Sequence, residues 1–362
     1  MIVARAPLRI SFGGGGTDLP AYADRFGGMV VSAAIDPACH ASIVPHEGSG
    51  VVVQSHDYDL TIEIPFRRQV AIHEPLSLPR AVVAWFAVRG LFPSGIRITL
   101  RADVPPGSGL GSSSAMTVAV VRAIARHVAL PLTQRMAAEI ACEIEIDLLC
   151  RPIGRQDHFA SAFGGLNTLT FSREEVAVAP MAMSAPAEQV LHDHLLLVST
   201  RRTRDSAAVL RDQRAASGSD GDVTRRLHRL KELASAMRVT LLLGDLPGFG
   251  ALLHESWQLK RGLAQGVSSR EIDHWYDVAL CGGAYGGKIA GAGGGGFFLF
   301  CVSPDRRANV IADLQAAGLT LFPFRFDHQG SIAWATEPVR ATSYRSVVEG
   351  FVHETASASA SA

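Results

Sequence analysis

Ten residues, Pro105-Pro106-Gly107-Ser108-Gly109-Leu110-Gly111-Ser112-Ser113-Ser114, constrain this chain more than any other stretch. Before them Ile96, Ile98 and Leu100 alternate with Arg97, Thr99 and Arg101, the period of a half-buried strand. After them Ala115, Val118, Ala119, Ile124, Ala125 and Val128 mark one face of a helix that starts at Ser112 and stops at Pro131. Strand, glycine loop and helix start in that order bring backbone N–H groups and a positive dipole end to one point, where an anion is stabilised. Phosphate is the obvious candidate. No G-x-x-x-x-G-K-[ST] and no G-x-S-x-G occurs, and no lysine precedes position 231, so the loop is neither a Walker P-loop nor a hydrolase elbow.

At 362 residues the chain exceeds the ~250–300 at which a single core stops growing, so two domains are expected. With 48% apolar and 19% charged residues it is rich enough in core material to exclude general disorder. Lys+Arg and Asp+Glu both number 34, which gives no bulk electrostatic reason for a nucleic-acid or membrane partner. Lys231, Lys260 and Lys288 are the only lysines among those 34 basic residues, a bias we read as codon usage. Cys39, Cys142, Cys150, Cys281 and Cys301 are scattered without a C-x-x-C pair and read as reduced core cysteines of a cytoplasmic protein. No apolar run approaches the ~18–20 residues that cross a bilayer, and Arg5 and Arg9 interrupt the start of the chain.

Thr133 is expected to cap a second helix, with Met136, Ala137, Ile140, Ala141, Ile144 and Leu148 on one face and an end before Pro152. Strand-like runs at Val51–Ser55, Thr61–Ile64 and Leu166–Phe171 make the first half α+β. Further on come a strand at Leu195–Thr200, helical stretches near 205–216, 222–242 and 248–263, and a strand at Phe297–Val302. These place one domain at 1–190 and a second at 191–354, followed by a Ser/Ala tail, 355–362, expected to be disordered. Gly291-Ala292-Gly293-Gly294-Gly295-Gly296 holds a formal G-x-G-x-x-G, but a strand follows it instead of a helix, so the dinucleotide-binding context fails. It reads as a turn packed closely against something. A third stretch, Gly13-Gly14-Gly15-Gly16-Thr17-Asp18, follows the run Arg5–Phe12 and brings Arg9 and Asp18 near a flexible turn.

The order of these stretches carries a resemblance. Ala6-Pro7-Leu8-Arg9 with Gly16-Thr17-Asp18, then Pro106–Ser113, then Gly291–Gly296 resembles the three motifs of the GHMP kinases, and the likeness spans nearly the whole chain. Within that superfamily the chain is most similar to the bacterial D-glycero-D-manno-heptose 7-phosphate 1-kinases. The residues that carry this are Arg5–Phe12 running into Gly14–Asp18, Gln156-Asp157 ahead of Phe163-Gly164-Gly165, Thr203-Arg204-Asp205-Ser206, and Phe324-Arg325-Phe326 with Gly330-Ser331. One departure is Gly13, which stands where those kinases tend to carry alanine.

The resemblance implies a two-domain α+β GHMP kinase fold, N-terminal ribosomal protein S5 domain 2-like and C-terminal ferredoxin-like. It implies ATP and Mg²⁺ as cofactors, with Pro106, Gly107, Ser108, Gly109, Leu110, Gly111, Ser112, Ser113 and Ser114 around the ATP phosphates. Ser113 matches the magnesium serine, with Ser112 as the competing choice. Of Glu143, Glu145 and Asp147, which a helix cannot aim at one point, Glu145 lies twelve residues before Asp157, close to the family interval; Glu143 is the alternative. Asp157 matches the aspartate that faces the acceptor hydroxyl, and Arg9 the basic residue that partners it. Asp18, with Gly15, Gly16, Thr17, Gly293 and Gly294, falls on the sugar side. Arg201, Arg202 and Arg204 offer a cationic pocket for a sugar phosphate, with Arg204 preferred.

The activity implied is phosphorylation of the anomeric hydroxyl of a heptose 7-phosphate to the 1,7-bisphosphate by a cytoplasmic kinase with a small-molecule partner. Oligomeric state is not readable from the sequence. Action on another sugar, fucose- or galactose-like, stays open, as does a non-catalytic sugar and nucleotide sensor. His73, His254 and His353 each precede Glu but none belongs to H-E-x-x-H, which disfavours a zinc hydrolase.

Overall fold

The computed structural model describes residues 1–66, 70–202, 221–263 and 266–336. The first strand, β1 (Ile2–Gly13), is nearly all buried and leads through the first glycine turn to a short helix α1 (Pro20–Phe26). It pairs antiparallel along its length with β2 (Gly28–Pro45), with register shifts at Pro7/Leu8 and at Ser11/Gly13. The two ends of β2 take different partners. Cys39–Pro45 pair with β5 (Ile96–Ala102), and Gly28–Ala33 with β6 (Leu166–Phe171), so one long strand bridges two parts of the sheet. The sheet is extended by β3 (Val51–Ser55), parallel to β5, by β4 (Leu60–Ile64) beside β3, and by β7 (Val176–Pro180) beside β6.

Helices α2 (Ser77–Val88), α3 (Ser112–His127), α4 (Gln134–Cys142) and α5 (Gln156–Phe163) contribute to one core with the strands. In α3 the spacing read from the sequence is the buried face: Ala115, Val118, Ala119 and Ile124 have no exposed surface. The Thr133 hydroxyl accepts from Met136 N as the cap of α4. That helix does not continue regularly to Leu148; Glu143–Leu148 form a π-turn, the wider i→i+5 winding.

After α6 (Ala185–His194), strand β8 (Leu195–Ser199) opens a second, four-stranded sheet with β9 (Ala284–Ile289), β10 (Phe297–Val302) and β11 (Thr320–Leu321), in the order β11-β8-β10-β9. Its two faces meet two cores. Leu195, Leu197, Phe297, Leu299 and Cys301 join the core of the first sheet, while Leu196, Val198, Phe298, Phe300 and Val302 join Trp257 and Tyr276. A strand buried on both faces has no polar alternation, which is why Phe297–Val302 is wholly apolar. The remaining helices are α7 (Asp222–Leu243), α8 (Leu246–Arg261), α9 (Arg270–Cys281) and α10 (Pro304–Ala316).

The last described strand, β12 (Ile332–Ala335), crosses back to pair with the outer edge of β1. The first sheet is therefore completed by residues from the end of the chain. Arg204, the helical stretch expected near 205–216 and the tail 355–362 lie outside the described residues.

Candidate active site

The three glycine stretches meet in space. Between β5 and α3 the loop carries Gly107, Gly109 and Gly111 at φ of 76°, 80° and 76°, a left-handed backbone that glycine adopts without steric penalty. Gly111 precedes the first turn of α3, which has no side-chain cap and no acidic residue, so its N–H groups stay available to an anion. The turn after β9 rests directly on this loop. A methyl group on Gly109 would stand 2.7 Å from Ala290 O, and one on Gly291 would stand 2.6 Å from Gly109 Cα. Two backbones touch here where no side chain fits.

Strand β1 fixes the other wall. Arg9 N donates to Leu110 O at 3.0 Å, and the Arg9 guanidinium, nearly fully buried, donates from Nη1 to Gly109 O at 2.6 Å. Its Nε and Nη2 reach Asp157 Oδ1 and Oδ2 at 2.7 and 2.6 Å, a bidentate pair that orients the carboxylate. Asp18 accepts from Gly16 N at 2.9 Å and Gln156 N at 3.2 Å; burial raises its pKa, and Asp157 raises it further.

The two glutamates at the end of α4 point in different directions. Glu143 points to Trp85 Nε1 at 2.8 Å and Arg89 Nη2 at 2.9 Å, away from the loop. Glu145 is fully buried, and its Oε2 accepts from Ser113 Oγ at 2.9 Å and Arg151 Nη1 at 2.8 Å. Its Oε1 accepts from Thr117 Oγ1 at 2.7 Å and lies 3.1 Å from His158 Nε2. Burial alone would raise the Glu145 pKa, but His158, Arg151 and Thr117 outweigh it and hold the group at about 2. The π-turn supplies the extra winding that turns Glu145 inward.

These groups line a cavity of about 440 Å³ that includes Arg9, Gly15, Gly16, Asp18, Ser112, Ser113, Ser114, Glu145 and Asp157. An adjoining cavity of about 430 Å³ lies beyond Gly107, Ser112, Ser113 and Arg151, which belong to both, and is walled by Pro106, Tyr58, Leu76 and Met116. Ser108 and Leu110 are buried beneath the loop.

Three residues expected on the sugar side stand elsewhere. Thr17 is fully buried, and its hydroxyl bonds to Gly14 O at 2.7 Å and receives Met29 N at 3.1 Å, so it holds the turn and is not a lining group. Gly293 and Gly294 turn away from the cavity toward Val267, whose carbonyl accepts Gly294 N at 2.8 Å. Residues the sequence reading did not single out for the site also line it: Lys260, Arg151, Ser11 and Gln156. Ser11 and Gln156 lie within stretches that carry the resemblance but had no role given to them, no motif marks Lys260 or Arg151, and the one signal available for Lys260 was the scarcity of lysine. Ser11 Oγ and Gln156 Oε1 are buried with no hydrogen-bond partner among the described residues. Also among the described residues, no group of three or more His, Cys, Asp or Glu could hold a metal by itself, and no helix is long and apolar enough to cross a membrane.

A glycine loop at a helix start, an Arg–Asp pair across from it and a second glycine turn packed on the loop define a phosphotransferase-like site on a two-domain α+β fold. Residues 78–165 match the GHMP kinases N terminal domain, and residues 232–319 match the GHMP kinases C terminal domain. The chain is 30% identical over 338 residues to a D-glycero-alpha-D-manno-heptose 7-phosphate kinase of Campylobacter jejuni, covering 92% of this chain and 98% of that one. A crystal structure described as a D-glycero-D-manno-heptose 1-phosphate kinase from Bacteroides thetaiotaomicron superposes with a TM-score of 0.78 at 28% identity, covering 93% and 100%. The L-fucokinase/L-fucose-1-P guanylyltransferase of Bacteroides fragilis is 27% identical over 339 residues, 86% of this chain and 35% of that one. The chain belongs to the GHMP kinases.

Proposed function

We propose that this chain is an ATP-dependent sugar kinase that phosphorylates the anomeric hydroxyl of D-glycero-D-manno-heptose 7-phosphate, giving the 1,7-bisphosphate. The observation that carries the reading is the placement of Asp157, in one cavity with the glycine loop and with Asp18. The loop and the start of α3 receive the donor phosphates, and the cavity beyond Pro106 and Tyr58 receives the nucleoside. Asp18 accepts sugar hydroxyls, and the unpartnered Ser11 Oγ and Gln156 Oε1 suit a ligand rich in hydroxyl groups.

In the reaction, the acceptor oxygen forms a bond to the γ-phosphorus as the bond from that phosphorus to the β–γ bridging oxygen breaks, and ADP leaves. Asp157 takes the hydroxyl proton, and Arg9 holds the carboxylate in place while its charge offsets that of the transferring group. Ser113 Oγ and Glu145 Oε2 are hard oxygen donors 2.9 Å apart that already share a cation, the Arg151 guanidinium, so the pair fits Mg²⁺. When bound, Mg²⁺ would neutralise charge on the donor phosphates.

The relatives differ on the acceptor's phosphate: one is named for heptose 7-phosphate and the other for heptose 1-phosphate. The fucokinase relative favours an unphosphorylated deoxysugar as the second reading. Release of ADP from Mg-ATP, followed with each of these sugars, decides between them: turnover with heptose 7-phosphate alone supports the proposal, and turnover with fucose alone replaces its acceptor.

A further inference from the structure

Each of the chain's three lysines donates to main-chain carbonyls. Lys231 reaches Phe26 O and Gly27 O, where α1 ends, and Lys288 reaches Ser11 O and Phe12 O, at the end of β1. Lys260, on α8, donates to Gly291 O. Among the described residues none of the three pairs with a carboxylate within salt-bridge distance. An ammonium has three N–H donors. Both Lys288 and Lys260 line the 440 Å³ cavity and both are buried, but Lys288 has two acceptors at the end of β1, whereas Lys260 has one and keeps two N–H groups for a ligand.

Its surroundings point to a ligand. On one side Gly291 rests against Gly109 of the phosphate loop, and on the other the charges of Arg9, Asp18 and Asp157 act on the ammonium. Burial, with Arg9 adding to it, pushes the Lys260 ammonium down to about 8. A buried cation without a paired carboxylate destabilises the fold, so folding stability does not account for its place. It shares one cavity with the loop that receives donor phosphates and with the carboxylate that faces the acceptor, the space in which a phosphoryl group crosses.

We propose that Lys260 is a catalytic residue that contacts the phosphoryl group in transfer, donating its free N–H groups to the nonbridging oxygens. The role rests on the kinase reading above. It is distinct from that of Arg9, whose guanidinium nitrogens are engaged by Asp157 and Gly109.

The test compares wild type with Lys260→Met by calorimetry, with Mg²⁺ present, using ADP and β,γ-imido-ATP, together with thermal unfolding. Lys260→Gln, one bond shorter and neutral but still a donor, stands in if the Met variant does not fold. Wild type is expected to bind the imidotriphosphate at least about tenfold more tightly than ADP. In the variant that ratio falls close to one, ADP affinity stays within about threefold, and Tm is not lowered. With any acceptor that turns over, kcat falls about 10²-fold or more, the scale of one lost donor to a developing charge. An unchanged ratio overturns the proposal. So does an equal loss for both nucleotides, which assigns Lys260 to packing, or a rise confined to KM for a phosphorylated acceptor, which assigns it to the acceptor's own phosphate. Failure of wild type to bind either nucleotide overturns the kinase reading itself, and this role with it.

Discussion

Asp157 accepts from Arg9 on both carboxylate oxygens, so two parallel hydrogen bonds, more than packing, set its direction. Asp157→Asn places an N–H where Arg9 already donates and removes the proton acceptor. Turnover is expected to fall about 10²–10⁴-fold with little change in ADP affinity, read by steady-state kinetics beside calorimetry. Full turnover in that variant removes the assigned role. Lys260 offers a stability test at the same scale, because its folded pKa of about 8 lies below the ordinary 10.5. Below pH 8 both folded and unfolded chains hold the proton, and the folded one carries the whole penalty of a buried charge. Between pH 8 and 10.5 the unfolded chain binds more protons, so folding regains that stability as pH rises. Lys260→Met has no such group. Its stability relative to wild type in urea unfolding should therefore be most favourable below pH 8 and decline by about 3 kcal/mol toward pH 10.5. A difference that does not vary with pH contradicts a buried ammonium.

Among the elements, the contact between the glycine loop before α3 and the turn after β9 is the most exacting. Gly109 combines φ of 80° with a carbonyl 2.7 Å from where a methyl group would stand, whereas Gly244, at φ of 71°, has nothing within 4 Å. Gly244→Ala is expected to lose roughly 1–2 kcal/mol, the penalty of left-handed backbone alone. Gly109→Ala adds overpacking and is expected to lose about 2–5 kcal/mol. Urea midpoints of the two variants check the order; equal losses would mean the loop and turn do not press on each other. The sequence showed β5 and α3 clearly, since alternation and helical spacing flank the glycines. It did not show that β2 runs for 18 residues, because Ala33, Ala34, Ala38 and Ala41 have low intrinsic strand preference; all four are held by pairing with β1, and Ala33 and Ala41 also by β6 and β5 on the other side. The π-turn was equally hidden, since its winding serves to bury Glu145 and leaves no periodic trace.

For the whole molecule, the return of β12 to β1 ties the end of the described chain to its beginning. Arg5 Nη1 meets Asp327 Oδ2 at 2.6 Å across 322 positions, and Asp327 Oδ1 also accepts Gln329 N and Gly330 N. Asp327→Ala leaves a half-buried guanidinium and two N–H groups without that partner, and should lower unfolding stability by about 2–4 kcal/mol. A loss below about 0.5 kcal/mol would show that the closure does not depend on it. The three glycine stretches were legible because each has a local signature, and their order suggested one site. The convergence of Lys260 from α8, Lys288 from β9 and Arg151 from the segment before α5 was not, since each is an isolated cation whose meaning comes from the fold. The measurement that tests the central claim most directly is ADP release from Mg-ATP across D-glycero-D-manno-heptose 7-phosphate, the free heptose, mannose, fucose, galactose and mevalonate, with Asp157→Asn as control. The account predicts turnover with the heptose 7-phosphate, abolished in the variant; turnover with none of them, or turnover that survives Asp157→Asn, would contradict it.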